Sequence, residues 1–461
     1  MATNTKTDDT HSQESDDRFV PFLGQFFPES LTLAALLAVL ALVVTIPYLG
    51  LIEQLEQFST GFFSLLTVQM SLILFWVLSA TVVESRWIGR MFDLVASALP
   101  AGNQWTVIYS TGVIALLFGW VNWALGLIGA VFIGYQLSSQ AEANGVRVHY
   151  PAVLTAGLLS LIVTNIGLTS PGALLMADST GTTNFLVDPD VGNLVVDTSA
   201  FLLHPVNVVS LALFVLTLPA LLALLAPSEE NKRKSVSEFT AVVEGSISDT
   251  LDTYSMPPKE EWVFADKLEQ SRTIAVVTFI LGAISLGGYF LNGGELTMLW
   301  LLFGLIILGI FIHGRPMAFS EEVTDATRWA NHIALPFLLY AAVFSLLSTA
   351  GFYETIGEVI AATGITQTVS YLVALVLGLL IPSPGSLWVI QGPAIVGSGA
   401  ELIPSLVSVM YGAGVSNLWL GFLFVGTIAT IYGFSWREYV RYAAAITAYV
   451  SVVIIALLVI F

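Results

Sequence analysis

The chain alternates long apolar stretches with short polar ones. No Asp, Glu, Lys or Arg falls within 30–52, 57–83, 104–141, 359–400 or 402–436. Each stretch exceeds the roughly 20 helical residues needed to cross about 30 Å of hydrocarbon. The pattern predicts membrane helices near 30–49, 62–84, 104–139, 151–177, 200–226, 272–291, 297–312, 331–350, 367–398, 404–431 and 438–461. Two of these, 104–139 and 367–398, are too long for one crossing. They are interrupted by Gly119-Trp120-Val121-Asn122 and by Pro382-Ser383-Pro384-Gly385. Proline removes a backbone donor and glycine relaxes the chain, so each segment is expected to fold back as a re-entrant hairpin of two half-helices.

Composition narrows the class. Of 461 residues, 56% are hydrophobic and 10% charged, with a mean hydropathy of +0.84, which describes an all-α polytopic membrane protein. The absence of cysteine excludes disulfides, Fe–S clusters, thiolate zinc sites and cysteine nucleophiles. His11, His149, His204, His313 and His332 include no pair spaced to hold a metal or haem on one helix face. A membrane enzyme would need an acid, base or metal constellation at membrane depth, and the sequence offers none. The net charge of −18 argues against a nucleic-acid partner and suits a salt-rich, halophilic cell. Residues 1–26 form an acidic amino-terminal segment without the basic start and apolar middle of a cleavable signal. The first membrane helix is therefore expected to direct insertion.

Basic residues set an orientation. Arg18, Arg86, Arg90, Arg147, Lys232-Arg233-Lys234, Arg315, Arg328, Arg437 and Arg441 mark one side, whereas the loops at 50–60, 178–199, 292–296 and 351–366 contain no Lys or Arg. With the amino terminus inside and both long segments treated as hairpins, every basic loop falls inside and the carboxyl terminus outside. This arrangement exposes a repeat. Ile88-Gly89 matches Ile356-Gly357 at a shift of 268, Gly129 and Gly134 match Gly392 and Gly397 at 263, and Pro151 and Asn165 match Pro404 and Asn417 at 253 and 252. Span, hairpin, span occurs twice in opposite orientation, the pattern of secondary transporters with inverted repeats around a midplane site. The expected organisation is a first membrane repeat at 27–226, a hydrophilic cytoplasmic linker at 227–271 and a second repeat at 272–461.

Polar groups stranded in apolar helices mark solute paths, because they are costly in hydrocarbon and must line a cavity or pair. The stranded groups at the two hairpins and the spans after them are neutral: Asn122, Trp123, Asn165 and Ser170 in the first half, Ser383, Ser386, Trp388, Gln391 and Asn417 in the second. A site without a cation can still bind an anion, since broken helices aim free N–H groups and positive dipole ends at the gap. Free carbonyls at the opposite ends suit a cation such as sodium. Taken alone, each of these residues is more readily a helix-packing residue, except at Asn122 and the Pro382–Ser386 break, where the backbone itself is left unsatisfied and ligand contact is the stronger reading. The reading is a carrier for a small carboxylate, set against a dicarboxylate or amino-acid carrier of the same architecture and a passive channel. No resident cofactor is expected. A coupling cation is expected, sodium ahead of the proton, because the spans lack a carboxylate able to titrate at depth.

The run Ile381-Pro382-Ser383-Pro384-Gly385-Ser386-Leu387-Trp388-Val389-Ile390-Gln391-Gly392-Pro393 strongly resembles a signature of the short-chain fatty acid transporter family. Supporting similarity lies at Phe27-Pro28-Glu29-Ser30-Leu31, Gly61-Phe62-Phe63-Ser64-Leu65-Leu66 and Val121-Asn122-Trp123-Ala124-Leu125-Gly126-Leu127. The resemblance implies an elevator-type ion transporter fold and a short-chain monocarboxylate substrate. It implies a substrate site at Asn122, Trp123 and Gly126 in the first hairpin and at Ser383, Gly385, Ser386, Trp388 and Gln391 in the second, and by analogy a homodimer. The chain departs from the family pattern at Pro384 and Ser386, where relatives carry glycine, and at Ala413-Gly414-Val415, where they tend toward Glu-Gln-Trp.

Overall fold

The structure is a computed structural model that describes residues 30–187, 193–239, 247–251, 254, 256, 258–381, 383–432 and 436–461. The acidic segment 1–26, Phe27-Pro28-Glu29 and Pro382 lie outside the described residues, as do the side chains of His332 and of 420–438. Among the described residues every element is helical. Every expected membrane segment is present as helix, most within a few residues of its expected limits.

In chain order the first half contains α1 (Ser30–Thr45), α2 (Leu51–Gly61), α3 (Leu66–Val83), α4 (Arg86–Ala98), α5 (Gln104–Val121), α6 (Ala130–Ala143), α7 (Tyr150–Leu158), α8 (Pro171–Met176) and α9 (Pro205–Leu225). The second contains α10 (Arg272–Leu291), α11 (Met298–His313), α12 (Pro316–Ala326), α13 (Pro336–Thr349), α14 (Phe352–Ala362), α15 (Thr366–Leu377), α16 (Pro384–Gly397), α17 (Leu402–Tyr432) and α18 (Trp436–Ile460). The longer apolar helices need no charge pattern to form, because backbone hydrogen bonds must close within each segment once water is gone. Two of the expected spans run at their ends into a second helix through a sharp corner. Helices α11 and α12 meet at a bend of 120°, and α13 and α14 at 79°. In each case glycine takes the corner in a left-handed conformation, Gly314 at φ 71° and Gly351 at φ 64°.

Segment 104–143 folds back on itself. A methyl group placed on Gly126 would strike Gly119, one on Gly129 would touch Phe118, and one on Gly134 would touch Thr111. Pairs that separate evenly about Asn122 are the mark of an antiparallel hairpin. The turn is confined to Asn122, whose backbone is extended (φ −158°, ψ 142°), followed by a π-helical turn at Leu125–Gly129. The second hairpin is α15 and α16. Gln391 on one arm donates to the Ser370 carbonyl on the other at 2.8 Å.

The same packing order occurs in both halves. Amphipathic α4 lies on the second arm of its hairpin, with Phe92 against Gly129, and α14 lies on the second arm of the other, with Gly357 against Ala394 and Gly397. Helix α7 packs on the first arm of the first hairpin, and α17 on the first arm of the second. One asymmetry breaks this order. Segment 150–176 splits at Thr164–Ser170, whereas α17 runs unbroken for 31 residues. Gly167 and Pro171 explain the split, and α17 has no proline after its first turn.

The segment joining the halves is strapped to the base of the first hairpin. Gln104 donates to the Pro227 carbonyl at 3.0 Å, Tyr150 N–H donates to the Lys234 carbonyl at 2.9 Å, and Arg147 pairs with Glu238 at 2.9 Å. Asp93 on α4 accepts the N–H groups of Ile247 and Ser248.

Candidate functional site

The first hairpin tip is held by the break in the following segment. Helix α5 ends with carbonyls that no further turn can satisfy. Thr164 Oγ1 donates to the Gly119 carbonyl at 3.2 Å, Leu168 N–H to Trp120 at 2.7 Å, and Thr169 Oγ1 to Val121 at 3.1 Å. Asn122 bridges elsewhere: its amide donates to Ser79 Oγ at 3.0 Å, and its carbonyl oxygen accepts from Ala124 N–H at 2.9 Å. Trp123 packs its ring against Trp76 (4.2 Å between centroids) and Trp329 (5.5 Å).

The second tip begins at Ser383, whose hydroxyl caps α16 by accepting Ser386 N–H at 3.4 Å, with Pro384 in the first turn. Ser170-Pro171-Gly172 opens α8 in the same way, the hydroxyl accepting Ala173 N–H at 3.4 Å. Each proline therefore starts a helix at a position where its missing N–H costs nothing. Ser416 packs against Gly378 at the end of α15, as Thr164 reaches Gly119 at the end of α5.

The two tips share neighbours. Gly385 abuts Leu72 on α3, while Trp123 and Asn122 meet Trp76 and Ser79 on the same helix. Positions 72, 76 and 79 lie on one helical face, so the contacts fall about 10 Å apart along α3. Behind them, Ile162 O approaches Gly414 where segment 160–166 crosses α17. Those two residues are 252 apart, the separation of Asn165 from Asn417, and each asparagine lies three residues beyond the crossing.

Several buried polar atoms at this place have no hydrogen-bond partner: Trp123 Nε1, Asn165 Nδ2, Ser386 Oγ, Trp388 Nε1 and Gln391 Oε1. Gly126 and Gly385 are accounted for by close packing, the first against the Gly119 backbone and the second against the end of the Leu72 side chain. Asn417 is half-buried beside Ser416. A cavity of about 770 Å³ opens elsewhere, between the loop at 181–187, Tyr353 and the far end of α16 at Pro393–Gly397. It lies about 12 Å along that helix from Gly385 and does not include the tips.

Sequence reasoning missed one polar group. Glu84, at the end of α3, is buried and accepts Arg328 Nη2 at 2.9 Å on both oxygens and Trp329 Nε1 at 3.1 Å. Neighbouring Glu322 on α12 is pushed up to about 7 by burial and by the Glu84 and Asp325 carboxylates. Trp329 thus joins an acid pair to Trp123 at the first tip. No local pattern announces this cluster, because Glu84 and Arg328 are 244 residues apart.

Comparison with known proteins gives this arrangement a setting. A sequence model described as "Short chain fatty acid transporter" matches residues 14–461. A protein of Haemophilus influenzae is 26% identical over 420 residues, covering 86% of this chain and 88% of its own length. One of Escherichia coli K12 is 22% identical over 409 residues with the same coverage. Both are provisionally named short-chain fatty acid transporters. Among solved structures, the crystal structure of the Alcanivorax borkumensis YdaH transporter, described as having an unusual topology, aligns with a TM-score of 0.53. It shares 14% identity over 94% of this chain and 97% of that one, a likeness of fold alone.

Proposed function

We take as premise that this chain belongs to the short-chain fatty acid transporter family, and we propose that it is a secondary active transporter for a short-chain monocarboxylate. The observation that carries the substrate class is the set of buried donors without acceptors. Trp123 Nε1, Asn165 Nδ2, Ser386 Oγ and Trp388 Nε1 all present hydrogens, against two unpartnered acceptors, Gln391 Oε1 and, on α3 one turn from Leu72, Gln69 Oε1. An ionised carboxylate is acceptor-only and has about four lone-pair sites. A buried donor left unpaired costs about 1–3 kcal/mol, so a ligand that satisfies several is bound selectively. The amino-terminal end of α16 adds a positive dipole beside Ser386.

The mechanism we propose is elevator-type alternating access between two inverted repeats. Support comes from the contact of Ile162 with Gly414. Equivalent positions of two repeats meet each other only near a two-fold axis, and that contact sits between the two asparagines. The amino terminus lies inside and the carboxyl terminus outside in this reading.

A coupling cation completes the proposal. Among the described residues no group of three His, Asp or Glu side chains is placed to hold a metal ion. Sodium would therefore rest on neutral oxygens, and the carbonyls of Gly119, Trp120 and Val121 each keep a lone pair beyond the one hydrogen bond they accept. A proton is the second reading, favoured by the buried pair Glu84 and Glu322. The deciding measurement is uptake of labelled butyrate by proteoliposomes under a sodium gradient or a proton gradient at fixed voltage, with acetoacetate, succinate and arginine as competitors. Competition by succinate or arginine alone would move the substrate class, and equal uptake with neither gradient would reject coupling.

A further inference from the structure

A second cavity, of about 580 Å³, lies at the edge of the helical assembly between the start of α10 and the end of α11. It is lined by the apolar Val276 and Phe311 together with Arg272, Arg315, His313 and Trp87. Helix α10 is long and apolar enough to span a membrane, and only 11% of its most apolar window is buried within the protein. Its remaining faces therefore meet hydrocarbon, and Arg272, the first residue of the helix, sits at headgroup level. Trp87, in the same lining, is 64% exposed, as befits an interfacial aromatic.

The arginines there are unusual for this chain. Net charge is −18, yet among the described residues neither Arg272 nor Arg315 is within ion-pair distance of a carboxylate. Asp93 accepts two backbone N–H groups from the joining segment, and Glu322 sits in the Glu84 cluster. Arg315 Nε is buried and lacks any acceptor. His313 is committed to the Thr81 carbonyl at 2.8 Å, so its ring closes the cavity on the α3 side.

We propose that this cavity is a binding site for an anionic phospholipid, with Arg272 and Arg315 on the headgroup phosphodiester and an acyl chain along Val276 and Phe311. Two guanidiniums match a phosphodiester in charge and donor geometry. The apolar wall beside a lipid-facing helix selects a lipid over a free anion. Snorkelling arginines that merely mark the interface would require neither an enclosed wall nor a buried Nε without an acceptor.

The test uses the purified full-length chain and native mass spectrometry with phosphatidylglycerol and phosphatidylcholine of identical acyl chains. Preference for phosphatidylglycerol by about tenfold is expected, since each basic group near an anionic lipid contributes measurably. The double variant Arg272→Gln/Arg315→Gln should lose that preference, and Val276→Trp, which fills the wall and keeps both charges, should lose it too. Millimolar inorganic phosphate should not displace the lipid. Equal binding of the two lipids, retention of the preference in the folded double variant, retention in Val276→Trp, or full displacement by phosphate would each overturn the assignment.

Discussion

Replacing Gly167 by alanine tests whether the break at 164–170 is the buttress of the first hairpin. The backbone of Gly167 is extended (φ −89°, ψ −169°), a conformation any residue adopts, so alanine meets no torsional objection. The obstacle is steric. A methyl group there would lie 2.6 Å from the Trp120 carbonyl carbon and closer still to its oxygen. Ordinary carbon contacts need about 3.5–4.0 Å, so loop and tip must part by about 1 Å or more. Leu168 N–H donates to that same oxygen at 2.7 Å, and the bond is lost with the displacement. Overpacking of this kind costs about 1–3 kcal/mol. Losing the buried bond adds about 1–3 kcal/mol for the unpaired group, and loss of glycine flexibility in the unfolded chain returns under about 1 kcal/mol. The net expectation is a loss of about 1–6 kcal/mol, together with loss of uptake. Gly172→Ala is the control. Its methyl would meet the Met410 thioether at 2.8 Å and a Leu406 methyl at 3.1 Å, both ends of flexible side chains. Denaturant unfolding in detergent, read by tryptophan fluorescence, and proteoliposome uptake would be compared for both variants. If Gly167→Ala matched Gly172→Ala in both measurements, the buttress reading would fail.

Four further outcomes are expected. Because the Glu322 carboxyl is raised to about 7, folded-state stability from this group is complete below about pH 4.5 and declines as pH rises toward 7; Glu322→Gln should flatten that part of a melting-temperature profile, and an unchanged slope would contradict it. Ser386→Ala removes a buried hydroxyl without an acceptor, so thermal stability should hold or rise by about 1 kcal/mol while the KM for the carboxylate rises about tenfold; a stability loss with unchanged KM would mark Ser386 as structural. The chain has no cysteine, which makes single-cysteine labelling clean: impermeant reagent on intact cells should reach the exposed positions 182 and 292 and miss 232, and the reverse pattern would invert the proposed orientation. Finally, if one cation accompanies each carboxylate, solid-supported membrane recordings should show uptake without current, and a steady substrate-dependent current would exclude one-to-one coupling.

Much of this arrangement is legible in the sequence because membrane helices advertise themselves one segment at a time. Uncharged runs locate the spans, and Asn122 and Ser383-Pro384 lie at the two folds that interrupt segments too long for a single crossing. The match of Asn165 with Asn417 is also readable, and both residues flank the crossing of Ile162 with Gly414. What sequence does not carry is partnership across distance. Ser79 reads as one small polar residue in an apolar helix and becomes informative only when Asn122 donates to it. Glu84 reads as the end of a span, and its burial beneath Arg328 and Trp329 depends on a bend of 120° that α11 and α12 make around Gly314. The expectation of sodium ahead of the proton rested on the lack of a titratable carboxylate. Glu84 and Glu322 show why a charge count within spans is incomplete, since a carboxyl at a span end can be buried by an element from the other half.

The neutrality of the tips has a physical consequence for transport. An arginine facing the site would hold a carboxylate firmly, but an empty carrier would then return with a bare cation, and an isolated buried charge costs several kcal/mol or more. Neutral donors remove that penalty from the empty state. They transfer the problem to the loaded state, where the carboxylate is a single negative charge in a dry setting. A co-bound cation neutralises it, and the same argument holds for sodium on carbonyl oxygens and for a proton shared with the acid pair. Under the proposed mechanism coupling would follow from desolvation, because neither ligand is easily carried inward alone. In the proposed mechanism the unpaired donors at Trp123, Asn165, Ser386 and Trp388 would supply selectivity through hydrogen bonds, and the lack of an unpaired cation among the described residues beside them would make co-transport obligatory.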